Sequence, residues 1–129
     1  MAQLIARKVR KVFPPSTAGQ HPVVALNDVS FEAEGHIFLS LVGPSGCGKS
    51  TLLNIVSGVE HPTEGSVEVI GKQAGNARTG YVFQDPRLLP WKTVLENMLY
   101  VLDDGTHDEQ VARARSYLDL VGLGASESR

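Results

Sequence analysis

Two periods organise the apolar residues of this chain, and their order predicts sheet first and helix later. Val29, Phe31 and Ala33 alternate with Ser30, Glu32 and Glu34, the two-residue period of a half-buried strand that ends at Gly35. Residues 4–13 read as an earlier strand, and 14–22 (P-P-S-T-A-G-Q-H-P) as a loop by composition. The short apolar run 37–42 predicts a buried central strand. Residues 66–70 alternate again, with Val67 and Val69 on one face; 61–65 is a turn, and Gly71 ends the strand. Residues 75–77 read as loop, and 79–83 as a further strand leading into Gln84.

Helical spacing accounts for the rest. Leu52, Leu53, Ile55 and Val56 predict the buried face of a helix closed by Gly58. Thr93 and Glu96 fit a capping box, with Leu95, Met98, Leu99 and Leu102 as the apolar face behind it. Thr106 and Glu109 fit a second box after the turn 103–105. Val111, Ala114, Leu118 and Val121 then recur at helical spacing up to Gly122. There is no internal repeat, and 124–129 carries no closing element. The pattern is that of an α/β chain.

Composition narrows the classes. The 129 residues make one domain at most, with 42% hydrophobic and 20% charged residues as in ordinary globular proteins. The net charge of −2 gives no general attraction to nucleic acid. Arg7, Lys8, Arg10 and Lys11 are interleaved with Val9 and Val12 as in a solvated edge strand, so no nucleic-acid partner is expected. Cys47 is the sole cysteine, which fits a reducing compartment. The N-terminus lacks the apolar core of a signal peptide. No apolar run approaches the roughly 18 residues of a membrane span. His21, His36, His61 and His107 show no ligand spacing.

The strongest chemical signal is G-P-S-G-C-G-K-S-T, Gly43 through Thr51, which fits G-x-x-x-x-G-K-[ST]. Gly43, Gly46 and Gly48 let the loop curl and turn its N–H groups inward. A helix beginning near Lys49 points its positive end, about half a charge, at the same place. Lys49 can reach β- and γ-phosphates, and the Ser50 hydroxyl can ligate Mg²⁺, an ion that prefers oxygen. Pro44, Ser45, Cys47 and Thr51 complete the phosphate loop. At a helix N-terminus the Cys47 thiol could be reactive; the plainer reading is that the position needs only a small side chain.

The phosphate loop together with Y-V-F-Q-D-P-R-L-L-P-W (residues 81–91) resembles the ATP-binding subunits of ABC transporters, over essentially the whole chain. Among them the chain looks most like importers for nitrate, alkyl sulfonates and taurine. The resemblance implies a P-loop NTPase fold of the ABC type. Its N-terminal portion would comprise a β-rich subdomain, the start of a parallel-sheet core and a helical subdomain. Residues 1–129 would then be a single incomplete ATP-binding domain, with the phosphate loop at 43–51, the Q-loop around 84 and the helical part from about 93.

The resemblance also implies roles. Gln84 corresponds to the family's Q-loop glutamine, an amide that touches Mg²⁺ and water; outside this context it would be a solvated loop residue. Phe13 stands where the family keeps an aromatic that stacks on adenine; the alternative is a core residue at a strand end. Asp85 through Trp91 and the helix from Thr93 would meet a transmembrane permease. Leu88, Leu89 and Trp91 would be that interface, or would pack on the two C-terminal helices. A second ATP-binding subunit would form a homodimer, an external binding protein would act indirectly, and the subunit would lie peripherally on the cytoplasmic face of the membrane. ATP and Mg²⁺ are the implied cofactors.

Hydrolysis in that family needs more than these residues. There is no L-S-G-G-Q-type signature, no apolar run ending in Asp-Glu to supply a general base, and no later switch histidine. In the family these follow the helix that here ends at Gly122. The resemblance thus implies an N-terminal portion of a longer subunit, with no complete catalytic set. Two functions follow: an importer subunit coupling ATP binding and hydrolysis to uptake of a small anion, or a nucleotide-binding module without turnover. The full-length parent would be an enzyme; for the chain alone this stays open. DNA-repair relatives are a distant third, against which the L-L-P-W segment argues. Asp119-Leu120-Val121-Gly122 matches D-x-x-G of GTPases but ends an amphipathic helix, so Leu120 and Val121 are expected in the core and Asp119 in solvent.

Overall fold

The computed structural model describes residues 2–15, 17, 19–71, 77 and 79–129. These divide into two compact units, Met1–Val82 and Phe83–Arg129. The first is built on three strands, β1 (Gln3–Phe13), β2 (Val23–Glu34) and β3 (Glu64–Ile70), with helix α1 (Lys49–Val56) packed on them. The sheet is antiparallel in the order β2-β1-β3. β1 is therefore central, not the edge strand its charges suggested. Arg7 and Lys8 are exposed as expected, but Arg10 and Lys11 pair with Glu64 and Glu60 from the β3 side.

A bulge shapes this sheet. Ala6 and Val9 are both buried, at 2% and 0% exposure, although residues three apart on a regular strand face opposite ways. The extra residue is absorbed where Lys8 takes a left-handed φ of 48°, and the register with β2 slips between Ala6 and Val9. The Lys8 N–H, displaced from the ladder, donates to Ser30 Oγ at 2.8 Å. On the other side Gly65, at φ 83°, lies against the Arg7 and Lys8 carbonyls, where a Cβ would overlap both. Ala6, Val9 and Leu26 then meet Leu52 and Ile55 of α1 in one core, flanked by Val29, Phe31, Val56 and Val67. Leu53 leaves the predicted helix face and is 45% exposed.

Two expected strands do not form. Residues 37–42 and 79–83 join no ladder among the described residues. Phe38 and Val82 are each 94% exposed. Their apolar pattern suits a central strand, but pattern alone does not supply the neighbouring N–H and C=O groups that such a strand needs on both sides. The 79–83 run is instead held by a side chain: Tyr81 Oη donates to Asn54 Oδ1 on α1 at 2.6 Å. Of the expected loop 75–77, residues 75 and 76 lie outside the described residues.

The second unit holds helices α2 (Val94–Tyr100) and α3 (His107–Leu120) and a 3-10 turn at Gly124–Ser126. Both capping boxes form as predicted. Thr93 and Thr106 accept from the Glu96 and Glu109 N–H groups, and those carboxylates accept from the cap N–H groups. The next donors of α2 are met by the chain's last residues, Val94 N–H to the Arg129 carbonyl at 2.9 Å and Leu95 N–H to the Glu127 carbonyl at 3.1 Å. Ala114 and Leu118 are the buried contacts of α3.

That helix ends in a Schellman turn. Leu123 N–H reaches the Leu118 carbonyl and Gly122 N–H the Asp119 carbonyl, at 2.7 and 3.0 Å, with Gly122 at φ 75°. Leu120 and Val121 are not core: they are 80% and 65% exposed. Leu120 is two residues past Leu118, so it points to the opposite face, and Val121 is the cap, already outside helical geometry. Asp119 is solvated as expected.

Candidate nucleotide-binding site

The phosphate loop is positioned by its last glycine. Gly48 sits at φ 94° and caps α1, and a Cβ there would overlap the Ala25 carbonyl and Leu26 Cδ2 of β2. The residue must therefore be glycine both for its backbone angle and for the close approach of the strand. Gly46 also has positive φ, 79°, but opens onto free space. Gly43 is constrained by a side chain, since a Cβ there would lie 2.8 Å from Cys47 Sγ.

With glycine at its cap, α1 has no side-chain hydrogen bond at its N-terminus and no acidic residue in its first turn. The first N–H groups of a helix have no intrahelical acceptor. Left without a side-chain acceptor, they and the helix's positive end make the electrostatic arrangement an anion requires. The first closed helical bond is Leu52 N–H to the Gly48 carbonyl at 2.9 Å.

Lys49 folds back into the loop. Its ammonium donates to the carbonyls of Gly43 and Pro44 at 2.9 and 2.6 Å and lies 3.5 Å from Cys47 Sγ. A cation is thus enclosed by the curl of the loop within reach of any anion seated there. Pro44, Ser45, Gly46 and Cys47 are exposed, Ser50 is exposed, and Thr51 is half-buried on the helix side. These donors fit a polyphosphate. The Ser50 hydroxyl fits one oxygen position on Mg²⁺, an ion usually held by one or two protein oxygens plus phosphates and water. Among the described residues no cluster of three or more His, Cys, Asp or Glu offers a metal site of its own.

Phe13 belongs to the same unit. Leu26, against which Gly48 rests, pairs with Lys11, and Phe13 lies two residues further along β1, about 7 Å away along the strand. Its ring is half-buried, with Lys11 Nζ 5.0 Å from the centroid. The contact between Lys11 and the Phe13 ring was not legible from spacing. Gln84 belongs to the second unit and is exposed, next to a pair formed by Phe83 and the Arg87 guanidinium 4.9 Å from its ring. Of the apolar cluster after it, Leu88 and Trp91 are 70% and 76% exposed and do not pack on the C-terminal helices, whereas Leu89 is half-buried. No helix among the described residues is long and apolar enough to cross a membrane.

Comparison with known proteins shows the family. The family model for ABC transporters matches residues 26–129. An aliphatic sulfonates import ATP-binding protein of Burkholderia lata is 50% identical over 86 residues, 67% of this chain and 26% of the relative. The nitrate import ATP-binding protein NrtC of Synechococcus elongatus is 40% identical over 128 residues, 94% of this chain and 19% of the relative. The chain thus spans about a quarter or less of the length of these two relatives. A bacterial ABC transporter cassette solved as a dimer superposes with a TM-score of 0.81 at 28% identity, covering 98% of this chain and 60% of that one. A post-hydrolysis state of an ATP-binding cassette, bound to ADP and Pi, gives a TM-score of 0.77 at the same identity and coverage. With a phosphate loop of this geometry, a matching family model over most of its length and cassettes of the same fold, the chain belongs to the ABC transporter family of ATP-binding proteins.

Proposed function

We propose that this chain is the ATP-grasping part of an importer subunit that couples ATP binding and hydrolysis to uptake of a small anion such as nitrate, a sulfonate or taurine. The observation that carries the reading is Lys49, enclosed by the Gly43 and Pro44 carbonyls beside an uncapped helix N-terminus. Gly43 through Thr51 would cradle the phosphates. Lys49 would exchange a loop carbonyl for a phosphate oxygen, a charge-assisted bond in place of a neutral one. Ser50 and Gln84 would hold Mg²⁺, which when bound neutralises phosphate charge and orients the phosphates. Phe13 would stack on the base.

Residues 1–129 would act as one ATP-binding domain. The exposed Leu88 and Trp91 suit contact with a permease partner. A second copy would pair with the subunit, as in the dimeric cassette, and a binding protein would engage the permease. The subunit would lie on the cytoplasmic face of the membrane through those partners.

The test is turnover. Mg²⁺-dependent phosphate release from ATP by this chain would assign it catalysis; MgATP binding without release would make it a binding module that depends on further residues for hydrolysis. Gln84→Ala, built into the full-length subunit, should spare ATP binding and reduce transport; unchanged transport would refute its coupling role.

A further inference from the structure

The Phe13 ring is not left to find its own orientation. Lys11 Nζ sits 5.0 Å from its centroid, within the range of a cation–π contact. The ammonium is itself fixed: it donates to Glu60 Oε1 at 2.7 Å and to the His61 carbonyl at 2.8 Å. Its side chain is only 12% exposed, unusual for a lysine on a strand rich in charge. Two of its three N–H donors are thereby used, and its charge rests over the ring.

The backbone around this pair is anchored as well. Thr63 N–H donates to the Arg10 carbonyl at 2.8 Å, and Val12 N–H donates to Thr63 Oγ1 at 3.0 Å. Phe13 pairs with Val23 on the other side. Glu60 and His61 belong to the segment that leaves α1, the helix whose N-terminus carries the phosphate loop. One end of α1 thus presents Lys49, and the chain leaving the other holds Lys11. A ring with a cation over one face can offer only its other face to a planar ligand.

We propose that Lys11, held by Glu60 and the His61 carbonyl, is a positioning residue that fixes the Phe13 ring for stacking on a nucleotide base. This rests on the reading of Phe13 as a base-stacking residue. Lys11 need not touch the nucleotide; it restricts the ring to one orientation before binding, so less freedom is lost when the base arrives.

The test compares two probes, MgATP and Mg-tripolyphosphate, the second lacking a base. Dissociation constants are measured by calorimetry for the full chain, Lys11→Met, Phe13→Leu and the double variant. Phe13→Leu should weaken MgATP about five- to a hundredfold and leave tripolyphosphate within about twofold. Lys11→Met should weaken MgATP about three- to tenfold, again sparing tripolyphosphate, and should add nothing in the Phe13→Leu background. Equal weakening of both probes by Lys11→Met, or full additivity in the double variant, would overturn the positioning role while leaving base stacking intact. An unchanged ratio of the two probes on Phe13→Leu would instead remove base stacking itself, and the proposal with it. Should Lys11→Met fail to fold, Glu60→Ala removes the acceptor that holds the ammonium, with Lys11 in place, and must shift the same ratio; no shift would contradict the proposal.

Discussion

Asn97 holds Leu89 from both directions. Leu89 N–H donates to Asn97 Oδ1 at 2.7 Å, and Asn97 Nδ2 donates back to the Leu89 carbonyl at 3.1 Å. The same Nδ2 also reaches the carbonyls of Lys92 and Thr93 at 3.1 and 2.9 Å. One amide in the first turns of α2 therefore fastens the segment that carries Leu88 and Trp91. Asn97→Ala should lower the stability of the second unit by about 1–3 kcal/mol, because partly buried backbone groups lose their partners. Hydrogen exchange at the Leu89 amide should accelerate with it. Unchanged exchange there would show that the segment is held by something else.

The phosphate-loop glycines should not be equivalent. Gly48→Ala combines a left-handed φ with overlap of the Ala25 carbonyl, whereas Gly46→Ala meets only open space. The Gly46 change should cost about 1–2 kcal/mol from backbone strain. The Gly48 change should cost more than that and displace the start of α1 from β2, with loss of MgATP binding. Urea denaturation and nucleotide titration of both variants check this; equal effects would contradict the packing of Gly48 on β2.

Acid should weaken the second unit. The Glu96 and Glu109 carboxyls are held below their ordinary range mainly by the cap N–H groups of Thr93 and Thr106 and then by their hydroxyls. The Arg115 guanidinium lowers Glu127 in the same way, first by its hydrogen bond. A carboxyl with a lowered folded-state pKa binds protons more readily in the unfolded chain. Its stabilisation is therefore full above the ordinary glutamate range, near pH 4–5, and is lost as pH falls through the lowered folded-state values. Trp91, the sole tryptophan, lies in this unit and reports its unfolding. Its urea midpoint should fall on acidification, and a Glu96→Gln, Glu109→Gln double variant should show a flatter pH profile. An identical profile would deny the boxes this role.

Much of this was legible in local pattern. Thr93 and Thr106 announced their helices because a capping box is a contact within four residues, and Gly58 and Gly122 marked helix ends for the same reason. The phosphate loop was legible because the geometry it needs is written in its own glycines. What local pattern missed was set by distant partners. The burial of Lys11 depends on Glu60, 49 residues away. The strand-like run 37–42 has no ladder among the described residues, so its apolar side chains stay exposed. The bulge at Lys8, which turns Val9 inward, answers to Ser30 and Gly65 on two other strands. Asn97 carried a weak signal, since asparagine is a poor choice inside a helix unless its side chain serves the backbone.

The loop from Gly43 to Thr51 is proposed to bind MgATP through Lys49. The test is calorimetric titration of MgATP into the full chain and into Lys49→Ala, with circular dichroism to show that both are folded. Saturable binding is expected of the native chain and at least about a tenfold loss in the variant, in which a charged hydrogen bond to phosphate is removed. Equal affinity of the two proteins for MgATP would contradict it.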